Sequence, residues 1–120
     1  MYVGRVGGEL RAAMVFQPHD NPLYEQVPWH TPAEYDEVAT IHMLAVHPSL
    51  RGRHVGAELV DEALRLAYEQ GKRAIHLDVI RDNLAASRIY EAAGFRVVGT
   101  RTRVFDDKST LEFQIYEYSL

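Results

Sequence analysis

The 120-residue sequence contains no cysteine, which excludes a disulfide framework, thiolate metal sites and a cysteine nucleophile and fits a cytoplasmic protein. It has no apolar run approaching the roughly 18 residues of a membrane span, and no charged-then-apolar leader at its N-terminus. No membrane association is therefore expected. Basic residues are not in excess: 13 Lys and Arg stand against 17 Asp and Glu, a formal net charge of −4. That argues against a general nucleic-acid binder. The six histidines show no H-x-x-x-H spacing, so no metal centre is expected. No repeat or low-complexity tract interrupts the chain, and 47% of it is hydrophobic, enough to fill a core. A single domain over residues 1–120 is the expectation.

What the chain does contain centres on VHPSLRGRHVGA, residues 46–57. A strand ends near Pro48, a short basic turn follows, and a helix begins near Val55. The first-turn N–H groups of a helix lack partners and lie at the positive end of its dipole, so this arrangement suits an anion. Gly52 and Gly56 leave room at the backbone, and Arg51 and Arg53 add charge. An ordinary loop with surface arginines is the plain alternative. A basic cluster in an acidic protein favours a small anionic ligand over a long polyanion.

The rest of the chain frames that turn. Residues 2–17 read as a hairpin about Gly7-Gly8, with Leu10, Ala12, Met14 and Phe16 alternating as one apolar face. Residues 18–37 carry Pro18, Pro22, Pro28 and Pro32, which forbid a long regular element, yet they also carry Tyr24, Trp29 and Tyr35. A loop of this length suits part of a substrate pocket, with Tyr24, Trp29 and Glu37 as candidate contacts. Its acidic residues would suit a cationic acceptor, and a solvated loop over the core is the alternative. ATIHMLAVH, residues 39–47, reads as a strand buried on both faces, with Ile41, Met43 and Ala45 on one side and Thr40, His42, Leu44 and Val46 on the other. Residues 55–70 read as a helix stopped by Gly71, and 74–80 as a third strand, so 39–80 form a right-handed βαβ unit with parallel strands. Asp82 or Asn83 caps a second helix, 84–93, ended by Gly94. Residues 95–104 and 111–118 read as two closing strands.

Two blocks, LAVHPSLRGRHVGAELV and LDVIRDNLAASRIYEAAGFRVVG, resemble the GCN5-related N-acetyltransferase (GNAT) superfamily. The first matches its Arg/Gln-x-x-Gly-x-Gly/Ala pyrophosphate loop at Arg51 to Gly56. The second matches its Asn…Tyr-Glu-x-x-Gly-Phe helix at Asn83, Tyr90, Glu91, Gly94 and Phe95. The resemblance implies an α/β (α+β) fold: a mixed, mostly antiparallel sheet whose central parallel pair is splayed to hold acyl-CoA. The usual first loop glycine is replaced by His54, and the family's N-terminal strand and helices have no counterpart before Met1, so the domain is N-terminally short. An uncovered sheet edge there predicts pairing with a second copy, a homodimer.

The resemblance further implies N-acetyl transfer from acetyl-CoA to a primary amine of a small molecule or protein, by direct attack in a ternary complex. It assigns acetyl-CoA to Leu44, Ala45 and Val46 along the pantetheine arm. Arg51, Gly52, Arg53, His54, Val55, Gly56 and Ala57 would hold the pyrophosphate, and Asn83 and Tyr90 would lie beside the arm. Tyr90 is the family's position for the donor to the departing thiolate. For the base, His42 is titratable in an apolar strand, and an ordinary imidazole pKa of about 6.5 suits the task. A hydrogen-bonded core histidine is the alternative there, with Glu37, Asp78 and Glu117 as fallbacks. His47 and His76 read as structural. A non-catalytic acyl-CoA-binding or dimerisation module of the same fold is the competing expectation.

Overall fold

The computed structural model describes residues 2–6, 9–24, 27–48 and 55–120. The elements are β1 (Tyr2–Val6), β2 (Glu9–Gln17), β3 (Val38–Val46), α1 (Val55–Glu69), β4 (Ala74–Ile80), α2 (Leu84–Ala93), β5 (Arg96–Val104) and β6 (Thr110–Ser119). The strands form one sheet in the order β1-β2-β3-β4-β6-β5. Every neighbouring pair is antiparallel except β3 and β4, joined through α1. This is the mixed, mostly antiparallel sheet with a central parallel pair that the family resemblance implies. The Gly7-Gly8 turn and the Arg51 to His54 part of the anion cradle lie outside the described residues.

Helical spacing in α1 puts Leu59, Val60, Ala63 and Ala67 against one face of the sheet. They meet Ala12, Met14 and Phe16 of β2, Ile41 of β3, and Ile75, Leu77 and Val79 of β4. Full burial of an aliphatic side chain such as Leu77 stabilises the fold by about 2 kcal/mol. The α2 helix opens on Asn83, whose Oδ1 accepts the Ala86 N–H at 3.2 Å. It ends at Gly94, with φ of 105°. A side chain there would adopt a strained backbone and meet the Tyr118 ring at 3.1 Å.

The opposite sheet face is covered by residues 18–24 and 27–37. Among these described residues the prolines confine regular structure to two single 3₁₀ turns, Pro22–Tyr24 and Tyr35–Glu37. The segment is tied down by side chains and backbone together. The Thr40 hydroxyl donates to the His19 carbonyl at 2.8 Å, and the Lys72 ammonium donates to the carbonyls of Pro18 at 2.7 Å and Asp36 at 2.6 Å.

One expectation needs correction. Strict alternation along β3 would place Ile41 and Ala45 on the same side, yet Ile41 is buried and Ala45 exposed. The register explains it: Phe16 pairs with Ile41 but Val15 pairs with Met43, so His42 is an extra residue on β3. A bulge of this kind resets the alternation and bends the strand.

Candidate active site

The bulge coincides with the end of the parallel ladder. β3 and β4 pair at Val38 with Ala74, Ala39 with Ile75, Thr40 with His76 and Ile41 with Leu77, and the pairing stops there. Both strands continue, β3 on β2 as far as Val46 and β4 on β6 as far as Ile80. The sheet therefore splits into two halves, and the β3 edge from His42 to Val46 is not paired to β4. Such an edge is a template for an extended ligand carrying amides of its own.

Asp78 is the first β4 residue beyond the last pair. It lies on the loop-covered face, as does His76, while Ile75, Leu77 and Val79 pack with the helices. Its charge acts on two buried tyrosines. Tyr24, buried on the first 3₁₀ turn, hydrogen-bonds both Asp78 and Asn21 through its hydroxyl. Burial raises its phenol pKa well above the ordinary value, and the Asp78 charge and hydrogen bond add to that. Tyr90, on α2, is only 4% exposed and packs edge-on against Phe95 at 5.5 Å. Its phenol is likewise pushed up, first by burial and then by the charge of Asp78. A phenol held protonated beside a carboxylate is an acid and a base in adjacent places.

Behind Asp78 lies a second polar group. His76, 2% exposed, contacts Asp20 at 2.8 Å through Nδ1. Its Nε2 is 3.7 Å from a Glu117 carboxylate oxygen and has no hydrogen-bond partner. The Trp29 indole stacks on the imidazole, 3.3 Å between centroids and 3° from parallel. The buried Glu117 accepts the His30 N–H at 3.0 Å and the Thr31 N–H at 3.2 Å.

A family model for acetyltransferases (GNAT family) matches residues 1–95. The chain belongs to that family. It is 42% identical over 77 residues to an uncharacterized protein of Mycobacterium leprae, covering 63% of this chain and 20% of that one. It is 36% identical over 74 residues to the N-alpha-acetyltransferase RimI of Mycobacterium tuberculosis, covering 62% of this chain and 42% of that one. The chain thus spans less than half the length of either curated relative. The structure of yncA from Salmonella typhimurium with its cofactor acetyl-CoA shares the fold, with a TM-score of 0.75 at 18% identity over 98% of this chain and 62% of that one.

The GNAT fold gathers some of the sequence-predicted residues and separates others. Leu44, Ala45 and Val46 form the β3 edge past the split, and Val55, Gly56 and Ala57 begin α1. Tyr24 hydrogen-bonds Asp78, and Tyr90, buried on α2, feels the Asp78 charge. His42 is exposed at the bulge, its Nε2 2.6 Å from the Gln17 side-chain oxygen. Asn83 caps α2. Trp29 lies over His76 rather than over the split. Glu37 sits at the closed end of the ladder, just before Val38, where its carboxylate accepts the Glu34 N–H at 2.9 Å and faces Arg73 at 4.0 Å. The structure does not bring it to the split. The sequence reading took His76 as structural and did not single out Asp20, and the structure pairs the two. A signal was present: His76 and Asp78 are polar at alternate positions of AIHLDVI, an otherwise apolar strand. Among the described residues no cluster of three or more metal-ligating side chains occurs, and no helix is long and apolar enough to cross a membrane.

Proposed function

We propose that the chain is an acetyl-CoA-dependent N-acetyltransferase that passes an acetyl group to a primary amine by direct attack in a ternary complex. One observation carries this reading: the parallel ladder ends at Ile41 and Leu77, which leaves the β3 edge open with Asp78 as the first β4 residue past the last pair. Acetyl-CoA supplies the acyl group, activated as a thioester. The unpaired β3 edge from His42 to Val46 bonds the amides of the arm, and a backbone N–H near Ala45 faces the carbonyl oxygen where negative charge develops. The start of α1 holds the pyrophosphate, as helix N-termini do.

Asp78 takes the amine proton as the new C–N bond forms, when the nitrogen becomes acidic. Tyr90 donates its proton to the sulfur as the C–S bond breaks. Asp78 is the better placed base because it stands at the first position past the end of the parallel ladder, whereas His42 is committed to Gln17. The test is an acetyl-transfer assay with acetyl-CoA and a panel of small amines and peptides. Release of free coenzyme A matched by acetylated amine is expected. Tight coenzyme A binding with no transfer to any acceptor would instead establish a binding module.

A further inference from the structure

Resting on that reading, we propose that His76 is a positioning residue for acetyl transfer: it seats residues 18–37 on the sheet so that the Tyr24 hydroxyl holds the Asp78 carboxylate at the mouth of the split. His76 touches neither opening nor reacting atoms. It is buried, and three elements of the overlying segment close on it or its neighbour. Asp20 binds Nδ1 at 2.8 Å, Trp29 stacks on the ring, and the His30 and Thr31 amides bind Glu117 beside Nε2. Tyr24 lies within this clasped stretch. The Asn21 side chain shares its hydroxyl, the Asn21 N–H bonds Asp20 at 2.9 Å, and the Tyr24 ring lies 5.9 Å from Trp29. A continuous path therefore runs from His76 through Asp20 and Asn21 to Tyr24 and on to Asp78.

The geometry explains two features that acetyl transfer alone leaves unused. A histidine between two carboxylates is an unusual buried cluster, and two of its partners, Asp20 and Trp29, come from a segment too rich in proline to fix itself by backbone pairing. The clasp replaces the missing secondary structure. Since misplacing a catalytic group by about 1 Å can cost about a hundredfold in rate, how the segment is seated bears directly on turnover.

Trp29 is the only tryptophan in the chain, so its fluorescence reads the clasp directly. Three variants are compared with the parent chain: His76→Gln, Tyr24→Phe and the pair together. Coenzyme A titration of each shows whether it is folded. His76→Gln is expected to change Trp29 emission, leave coenzyme A affinity within about twofold, and lower kcat about tenfold or more. Tyr24→Phe is expected to lower kcat similarly with Trp29 emission unchanged. Because both act on Asp78 by one path, the double variant is expected to be no slower than the slower single one, within about twofold. Full kcat in His76→Gln despite altered emission overturns the role of His76, as do losses that multiply in the double variant. Loss of coenzyme A binding in His76→Gln also overturns it, since His76 would then support the fold at large. A parent chain that transfers no acetyl group overturns the reading under Proposed function instead.

Discussion

The hydroxyl of Tyr24 hydrogen-bonds the carboxylate of Asp78 at the first position where β4 has parted from β3. The bond ties an irregular segment to the one place where the sheet opens. Its contribution to stability is measurable by itself. Tyr24→Phe removes the hydroxyl and keeps the buried ring, so unfolding in urea is expected to show a loss of about 1–2 kcal/mol with no change in m-value. An unchanged midpoint would mean that the bond contributes nothing net.

Tyr90→Phe removes the proton donor and little else, because the ring keeps its packing against Phe95. A fall in kcat of about a hundredfold is expected, within the usual range for general acid catalysis. Coenzyme A affinity by calorimetry is expected to stay the same. Equal losses in affinity and rate would assign Tyr90 to binding.

The two candidate bases separate cleanly by substitution. Asp78→Asn keeps the size and loses the base, and kcat is expected to fall about a hundredfold or more. His42→Gln is expected to cost less than about fivefold, since the imidazole is exposed at the bulge and bound to Gln17. The reverse order of effects would return the base to His42.

Alkali offers a different view of the same site. The phenols of Tyr24 and Tyr90 are raised above the ordinary tyrosine value of about 10, chiefly by burial. Above that pH the unfolded chain gives up these two protons and the native chain keeps them. The native state then binds more protons, so stability falls as pH rises. Their contribution is fully present below about pH 10 and is lost progressively above it. Phenolate absorbance, followed together with circular dichroism, is expected to show these two tyrosines ionising only as the chain unfolds. Ionisation with the fold intact would mean that the phenols are open to solvent.

Much of this was legible in the sequence, where the signal was periodic. The apolar stripes of α1 and β4 and the Asn83 and Gly94 caps follow from local chemistry, and the structure has them at the expected places. Tyr90 entered through the family resemblance instead, and the structure buries it on α2. The bulge at His42 was not legible. Nothing in IHM announces an extra residue, because a bulge is set by the register with β2, and only Ala45 on the exposed side betrays it. The clasp was illegible for a similar reason. Asp20, Trp29, His76 and Glu117 are far apart in the chain, and only the crossing of residues 18–31 over β4 and β6 brings them together. Polar side chains that satisfy one another across the fold leave no local pattern.

The central claim is that acetyl-CoA enters the split between β3 and β4, and a crystal structure of the complex tests it most directly. Density is expected for the pantetheine arm along His42 to Val46, with the thioester between Asp78 and the Tyr90 hydroxyl. Coenzyme A bound elsewhere on the sheet, with the β3 edge left bare, would contradict it.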